Sequence, residues 1–206
     1  MLNGEAVRDY SGISVSAASD INADGIDDLF IGASGADSNG VNFSGRSYVV
    51  FGSRNGFPNP FSIGDLDWSN GIIINGAAGD NSGRSISVAG DVNDDGIDDL
   101  MIGAYLADIN GKTAMGRAYI LFGSNNSFAH PLNLSNINGL NGLVIDGEAQ
   151  GDGLSRSISA AGDINHDGID DLIIGADGAD PNGNNLSGRS YVVFGSDSDI
   201  VRLSSG

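Results

Sequence analysis

A segment of 34 residues occurs three times in this chain, and no other feature limits the fold as tightly. Residues 20–53 read DINADGIDDLFIGASGADSNGVNFSGRSYVVFGS, residues 91–124 read DVNDDGIDDLMIGAYLADINGKTAMGRAYILFGS, and residues 163–196 read DINHDGIDDLIIGADGADPNGNNLSGRSYVVFGS. The first and third copies differ at 6 of the 34 positions and the first and second at 13, with starts 71 and 72 residues apart. Repetition at a fixed period marks an architecture in which each unit buries its apolar face against the next. The likeness continues upstream, where Asn3-Gly4-Glu5-Ala6, Asn75-Gly76-Ala77-Ala78 and Asp146-Gly147-Glu148-Ala149 precede the copies. Three units, about 1–73, 74–144 and 145–206, fill the 206 residues as one domain.

Within a unit the pattern is short strands parted by turns. In the second unit Ser85 to Ala89 alternates, and apolar runs follow at 100–104, 118–122 and 142–145. No segment keeps a 3.6-residue apolar period. Four short antiparallel strands per unit predict an all-β fold of β-propeller blades. The coils of a β-solenoid are much shorter than 71 residues.

Between the first two strands of each unit lies Asp-x-Asn-x-Asp-Gly-Ile-Asp-Asp. Positions 1, 3 and 5 offer side-chain oxygens: Asp20, Asn22 and Asp24; Asp91, Asn93 and Asp95; Asp163, Asn165 and Asp167. Glycine at position 6 permits a sharp bend that presents the carbonyl of Ile26, Ile97 or Ile169, and Asp28, Asp99 or Asp171 closes the set at position 9. Five or more hard oxygens on a flexible loop suit Ca²⁺, one ion per unit and three per chain. Zinc would need nitrogen or sulfur ligands, and Mg²⁺ a tighter octahedron. An EF-hand would need a bidentate Glu at position 12, where Ile31, Ile102 and Ile174 stand. The competing reading is a set of Asp/Asn turns that cap their own backbone. Recurrence of positions 1, 3, 5, 6 and 9, while position 4 drifts through Ala23, Asp94 and His166, argues for the metal. Position 8 (Asp27, Asp98, Asp170) is read as an exposed or supporting carboxylate rather than a ligand.

Composition agrees. Of 27 acidic residues only Glu5 and Glu148 are glutamate, and aspartate belongs in turns and metal loops. The formal charge of −18 argues against nucleic acid and anionic membranes. No apolar run approaches the roughly 20 residues that span a bilayer. The absence of cysteine removes disulfides, thiolate zinc sites and Cys nucleophiles. The first residues lack the features of a signal peptide, so the expectation is a cytosolic chain or a mature piece of a larger one. Calcium at extracellular concentrations would keep such loops filled, which favours an extracellular or cell-surface setting.

Each Asp-rich loop is followed by Ile31-Gly32-Ala33, Ile102-Gly103-Ala104 or Ile174-Gly175-Ala176, and then by Phe51-Gly52, Phe122-Gly123 or Phe194-Gly195. This pattern resembles the FG-GAP repeat, which builds the β-propeller of integrin α chains and of many bacterial integrin-like proteins. The proline that would follow the Gly-Ala pair is absent, with Ser34, Tyr105 and Asp177 in its place. The resemblance implies Ca²⁺ at the loop positions named above and a non-enzymatic role in adhesion or extracellular scaffolding. Integrin-type propellers have seven blades, whereas three would leave open faces and unpaired edges. Self-association of two copies into a six-bladed ring is therefore expected, ahead of a segment of a larger propeller. Residues 200–203 are expected to supply a short outer strand.

Other features are weaker. Arg46, Arg117 and Arg189 recur at a strand start and are read as structural ion pairs to a neighbouring Asp. Trp68, the single tryptophan, is read as a packing residue rather than a sugar platform. No nucleophile elbow or phosphate loop appears. A protein or glycan ligand held on a propeller face or blade junction is the alternative function.

Overall fold

The computed structural model describes all residues except 39, 41, 127, 198–201, 205 and 206, and only the backbone of 202–204. The strands, in chain order, begin with β1 (Leu2–Asn3), β2 (Ser14–Ser19), β3 (Asp28–Ala33), β4 (Arg46–Val50), β5 (Phe61–Ser62) and β6 (Gly71–Asn75). They continue with β7 (Ser85–Gly90), β8 (Asp99–Ala104), β9 (Arg117–Leu121), β10 (Leu132–Asn133) and β11 (Gly142–Asp146). The last four are β12 (Ser157–Gly162), β13 (Asp171–Ala176), β14 (Arg189–Phe194) and β15 (Arg202–Ser204). Among the described residues there is no α-helix, only three-residue 3₁₀ turns.

Three antiparallel sheets follow the three units: β2-β3-β4-β6, β7-β8-β9-β11 and β12-β13-β14-β15. These are propeller blades, as the strand pattern predicts. Residues 200 and 201 of the expected outer strand lie outside the described residues, but 202 and 203 belong to β15. Alternation sorts side chains between the two faces of each blade. In blade 1, Phe30, Val49, Ile72 and Ile74 form one face and join Ile86, Leu100, Ile102, Tyr119 and Leu121 of blade 2 in a single apolar cluster. The opposite face of blade 2, with Met101 and Ile120, meets Leu172, Ile174, Tyr191 and Val193 of blade 3. The core is therefore two inter-blade seams, and a third apolar cluster covers the leading side of blade 1 with Phe61, Ile63 and Leu66.

One feature of the rim had no sequence signal. The connection between the third and fourth strands of blade 2 reaches back, and its β10 pairs in parallel with β6 of blade 1, Leu132 opposite Ile74 and Asn133 opposite Asn75. In blade 1 the corresponding β5 pairs in parallel with β1, Phe61 opposite Leu2 and Ser62 opposite Asn3. Thus β1 stands toward blade 1 as the end of β6 stands toward blade 2.

Candidate metal centre

Each inner strand ends in a register shift, between Ala17 and Ser19, Val88 and Gly90, or Ala160 and Gly162. Such a bulge bends the strand and re-aims the chain. The Asp-rich loop follows at once and returns into the second strand at position 9. Positive φ at position 4 (Ala23, Asp94, His166) and at the position-6 glycine closes the turn. The glycine has open space where a Cβ would go, so its role is conformational.

The three loops are near-copies in their hydrogen bonds. In loop 1 the Asp20 carboxylate accepts the amides of Asp24 and Gly25, each at 2.8 Å. Asn22 Oδ1 accepts the Asp24 amide at 3.0 Å, and Asp24 Oδ1 accepts the Ile26 amide at 2.9 Å. Loop 2 repeats this through Asp91, Asn93, Asp95 and the Ile97 amide. Loop 3 does so through Asp163, Asn165, Asp167 and the Ile169 amide. The backbone-capping role weighed from the sequence is thus present in every loop. It leaves the position-1 carboxylate gripping one amide per oxygen, with further lone pairs on each. Among the described residues no three carboxylate or imidazole side chains converge tightly enough to hold an ion unaided.

The closing carboxylates are set differently from the rest. Asp28, Asp99 and Asp171 are buried, and one oxygen of each accepts the amide of Gly52, Gly123 or Gly195 at 2.7, 2.9 and 3.0 Å. The second oxygen accepts Val92 N–H at 3.1 Å in loop 2 and Ile164 N–H at 2.9 Å in loop 3. In loop 1 that atom, Asp28 Oδ2, is buried without a hydrogen bond of normal geometry. Burial pushes Asp28 up to about 6 and Asp99 up to about 8. The accepted glycine amides oppose the rise, and the loop's own position-1 and position-5 carboxylates add to it. Crowded carboxylates beside a buried one are an electrostatic burden that a divalent cation would relieve. The donor set of carboxylates, an amide oxygen and a backbone carbonyl per loop fits a hard cation.

The role of the Phe-Gly glycine was not legible as site chemistry. A Cβ on Gly52 would lie 2.4 Å from the Asp27 carbonyl oxygen and 2.5 Å from Ile26 Cγ2, and Gly123 and Gly195 repeat this contact on their own loops. That glycine lets the end of the third strand lie against the loop and hand its amide to the closing carboxylate. Its fixed distance of 24 residues from position 9 in every copy was the available signal.

Position 8 has a role in one copy. Asp170 Oδ2 accepts the amide of Asp91 at 3.2 Å, so the third loop's carboxylate reaches the start of the second loop. The recurrent arginines form ion pairs as expected, though Glu replaces Asp twice: Arg46 with Glu5, Arg189 with Glu148, and Arg117 with Asp146. The packing role expected of Trp68 is corrected. It is 76% exposed, on a turn that precedes β6 of blade 1, and it borders a cavity of about 410 Å³ with Asn22, Asp24, Phe51 and His130.

Comparison with known families matches residues 11–50, 82–121 and 156–193 to the FG-GAP repeat. Integrin alpha-PS5 of Drosophila melanogaster is 32% identical over 186 residues, 87% of this chain and 16% of that protein. Integrin alpha-6 of Gallus gallus is 27% identical over 177 residues, 85% of this chain and 14% of the relative. Phosphatidylinositol-glycan-specific phospholipase D of Rattus norvegicus is 34% identical over 111 residues, 53% of this chain and 13% of the relative. The chain thus spans only 13 to 16% of the length of these proteins.

Proposed function

The chain belongs to the FG-GAP repeat family, and from that premise we propose that it is a calcium-stabilised, non-enzymatic, integrin-like propeller module that serves extracellular adhesion or scaffolding. The observation that carries this reading is the threefold oxygen-donor loop with a buried closing carboxylate. Asp20, Asn22, Asp24, the Ile26 carbonyl and Asp28 would hold one ion, and the same positions of loops 2 and 3 would hold two more. Bound calcium supplies positive charge among carboxylates that otherwise repel. The chain's own groups do the rest. The position-1 carboxylate orders the turn through its two amide bonds, and the closing carboxylate ties the loop to the third strand through Gly52, Gly123 or Gly195. One propeller face is thereby held in a fixed shape for a partner. Among the described residues no helix is long and apolar enough to cross a membrane.

Calorimetric titration with Ca²⁺, paired with thermal melts, tests the reading. Three ions per chain are expected, with stabilisation of about 2.7 kcal/mol per site at a hundredfold excess over Kd. Absence of both heat and a melting shift in millimolar calcium would overturn it. A glycan-binding role is the second reading, favoured by the exposed Trp68 beside the first loop and its cavity. Trp68 is the only tryptophan, so its fluorescence reports that cavity alone. Saccharide panels that leave the emission unchanged would dismiss it.

A further inference from the structure

Position 8 of the Asp-rich loop stands outside the oxygen-donor set, yet Asp98 and Asp170, in the two units that follow another, are both half-buried. They are used differently. Asp170 meets Asp91 of the preceding loop at two points: its Oδ2 accepts the Asp91 amide at 3.2 Å, and its own amide donates to the Asp91 carbonyl at 3.4 Å. Among the described residues neither bond has a counterpart between Asp98 and Asp20.

The residue just before each loop supplies the reason. It is Gly90 in the second unit and Ser19 in the first, with φ of 76° and 48°. A Cβ on Gly90 would lie 2.2 Å from Asp170 Oδ2 and 2.6 Å from its Cγ. Ser19 carries that atom, so at the first junction the room that a position-8 carboxylate needs is already taken. A second link occurs at both junctions and does not make the difference. Gly195 gives its amide to Asp171 while Ser196 donates to the Val92 carbonyl, and Gly123 and Ser124 do the same for Asp99 and Ile21.

The place of Asp170 in its own loop gives this bridge a consequence. Asp170 stands between Ile169, whose carbonyl belongs to the donor set, and Asp171, the closing carboxylate. An ion in loop 3 would hold the backbone on both sides of it. Asp91, at the other end of the bridge, is the position-1 residue of loop 2 and accepts the amides of Asp95 and Gly96 at 3.0 and 2.8 Å. Holding Asp170 therefore holds the backbone of Asp91 before an ion arrives, which lowers the ordering cost of binding in loop 2. A coupling of this kind acts equally in both directions.

We propose that Asp170 is a positioning residue that couples calcium binding in loop 3 to calcium binding in loop 2, and that Ser19 keeps loop 1 from being coupled to loop 2 in the same way. The inference rests on the calcium reading given above and adds to it a dependence between two of the three sites.

The test uses the full chain, isotope-labelled for amide NMR and titrated with Ca²⁺. The amides of Gly25, Gly96 and Gly168 each donate to the position-1 carboxylate of their own loop, at 2.8, 2.8 and 2.9 Å, so their resonances follow the three loops one by one. Asp167→Ala, which disables loop 3, should weaken calcium binding seen at Gly96 about tenfold and at Gly25 less than about twofold. In an Asp170→Ala background the same substitution should move the Gly96 midpoint by less than about twofold. Asp170→Asn retains an acceptor oxygen and should preserve the coupling. Ser19→Gly, at a positive-φ position that suits glycine, should admit Asp98 and bring loop 1 under the influence of loop 2. Asp95→Ala in that chain should then weaken binding at Gly25 about tenfold. A Gly96 midpoint that Asp167→Ala leaves in place, or moves equally with and without Asp170, would overturn the coupling while the calcium sites stand. A Ser19→Gly chain in which Asp95→Ala leaves the Gly25 midpoint unchanged would overturn the part assigned to Ser19. Amides of all three loops that stay unmoved in millimolar calcium would overturn the calcium reading itself, and the coupling with it.

Discussion

The second and third Asp-rich loops carry the same ligand-type residues in the same order, yet they occupy different surroundings. In loop 2 the position-2 side chain, Val92, is 1% exposed; in loop 3 its counterpart Ile164 is 54% exposed. Blade 3 braces loop 2 from the side. The Ser196 amide bonds to the Val92 carbonyl at 3.0 Å, and Asp170 takes the Asp91 amide. Loop 1 is braced in the same manner by blade 2, where the Ser124 amide bonds to the Ile21 carbonyl at 3.0 Å. Among the described residues no following blade does this for loop 3. The difference teaches that a loop's chemistry is written in its own nine residues, whereas its rigidity is lent by the next blade.

The largest expected effect separates the loops by packing. Ile21→Ala, at a fully buried position, should cost about 2–4 kcal/mol in urea unfolding, and Ile164→Ala under about 1 kcal/mol for the single chain. Equal costs would break the comparison.

Next comes pH in the presence of chelator. A buried carboxylate whose folded value is raised holds its proton more tightly than the unfolded chain does. Its stability contribution is full below the unfolded value, near 3.8, and fades as pH rises through the folded one. Asp99, up to about 8, spreads that loss across pH 4–8; Asp28 and the buried Asp80, both up to about 6, confine it to pH 4–6. For Asp80 burial is again the main cause, opposed by Arg117. Chemical denaturation should show stability falling with pH by at most about 1.4 kcal/mol per unit per group. Asp99→Asn should flatten the branch between 6 and 8. A stability that instead climbs over that range without calcium would contradict the burial assigned to Asp99.

Calcium itself should distinguish the loops less strongly. Because loop 3 must be ordered by the ion with less help from a neighbour, its affinity should be about tenfold weaker than that of loop 2. Titrations of Asp95→Ala and Asp167→Ala, each of which removes one loop, read the remaining sites separately. Identical residual isotherms would show that bracing does not reach the metal. The smallest effect concerns Arg156 and Asp177, 3.3 Å apart with both side chains more than half exposed. Arg156→Ala should change stability by less than about 0.5 kcal/mol.

The blades were legible because alternation and loop spacing repeat three times, so chance agreement at one copy is corrected by the others. The Asp, Asn and Gly of each loop announce themselves for the same reason. The brace on Val92 and the exposure of Ile164 were not legible, since both positions carry an ordinary apolar residue and differ only in what lies beside them. Nor was the β6–β10 pairing, because a two-residue strand is too short to display a period. Trp68 misled for a related reason: a large aromatic suggests burial, but only the path of the chain decides whether anything covers it.

The parallel pairing at the rim also bears on how the molecule comes apart. Blade 2 cannot lose its third-to-fourth connection without stripping β10 from β6, and the outer strand of blade 1 then loses its neighbour. Stacked repeats joined only face to face can melt one at a time, as in a linear array. Here a backbone clasp is added to the apolar seam, so the first two blades should unfold as one cooperative unit, while blade 3, clasped by no later segment among the described residues, frays first.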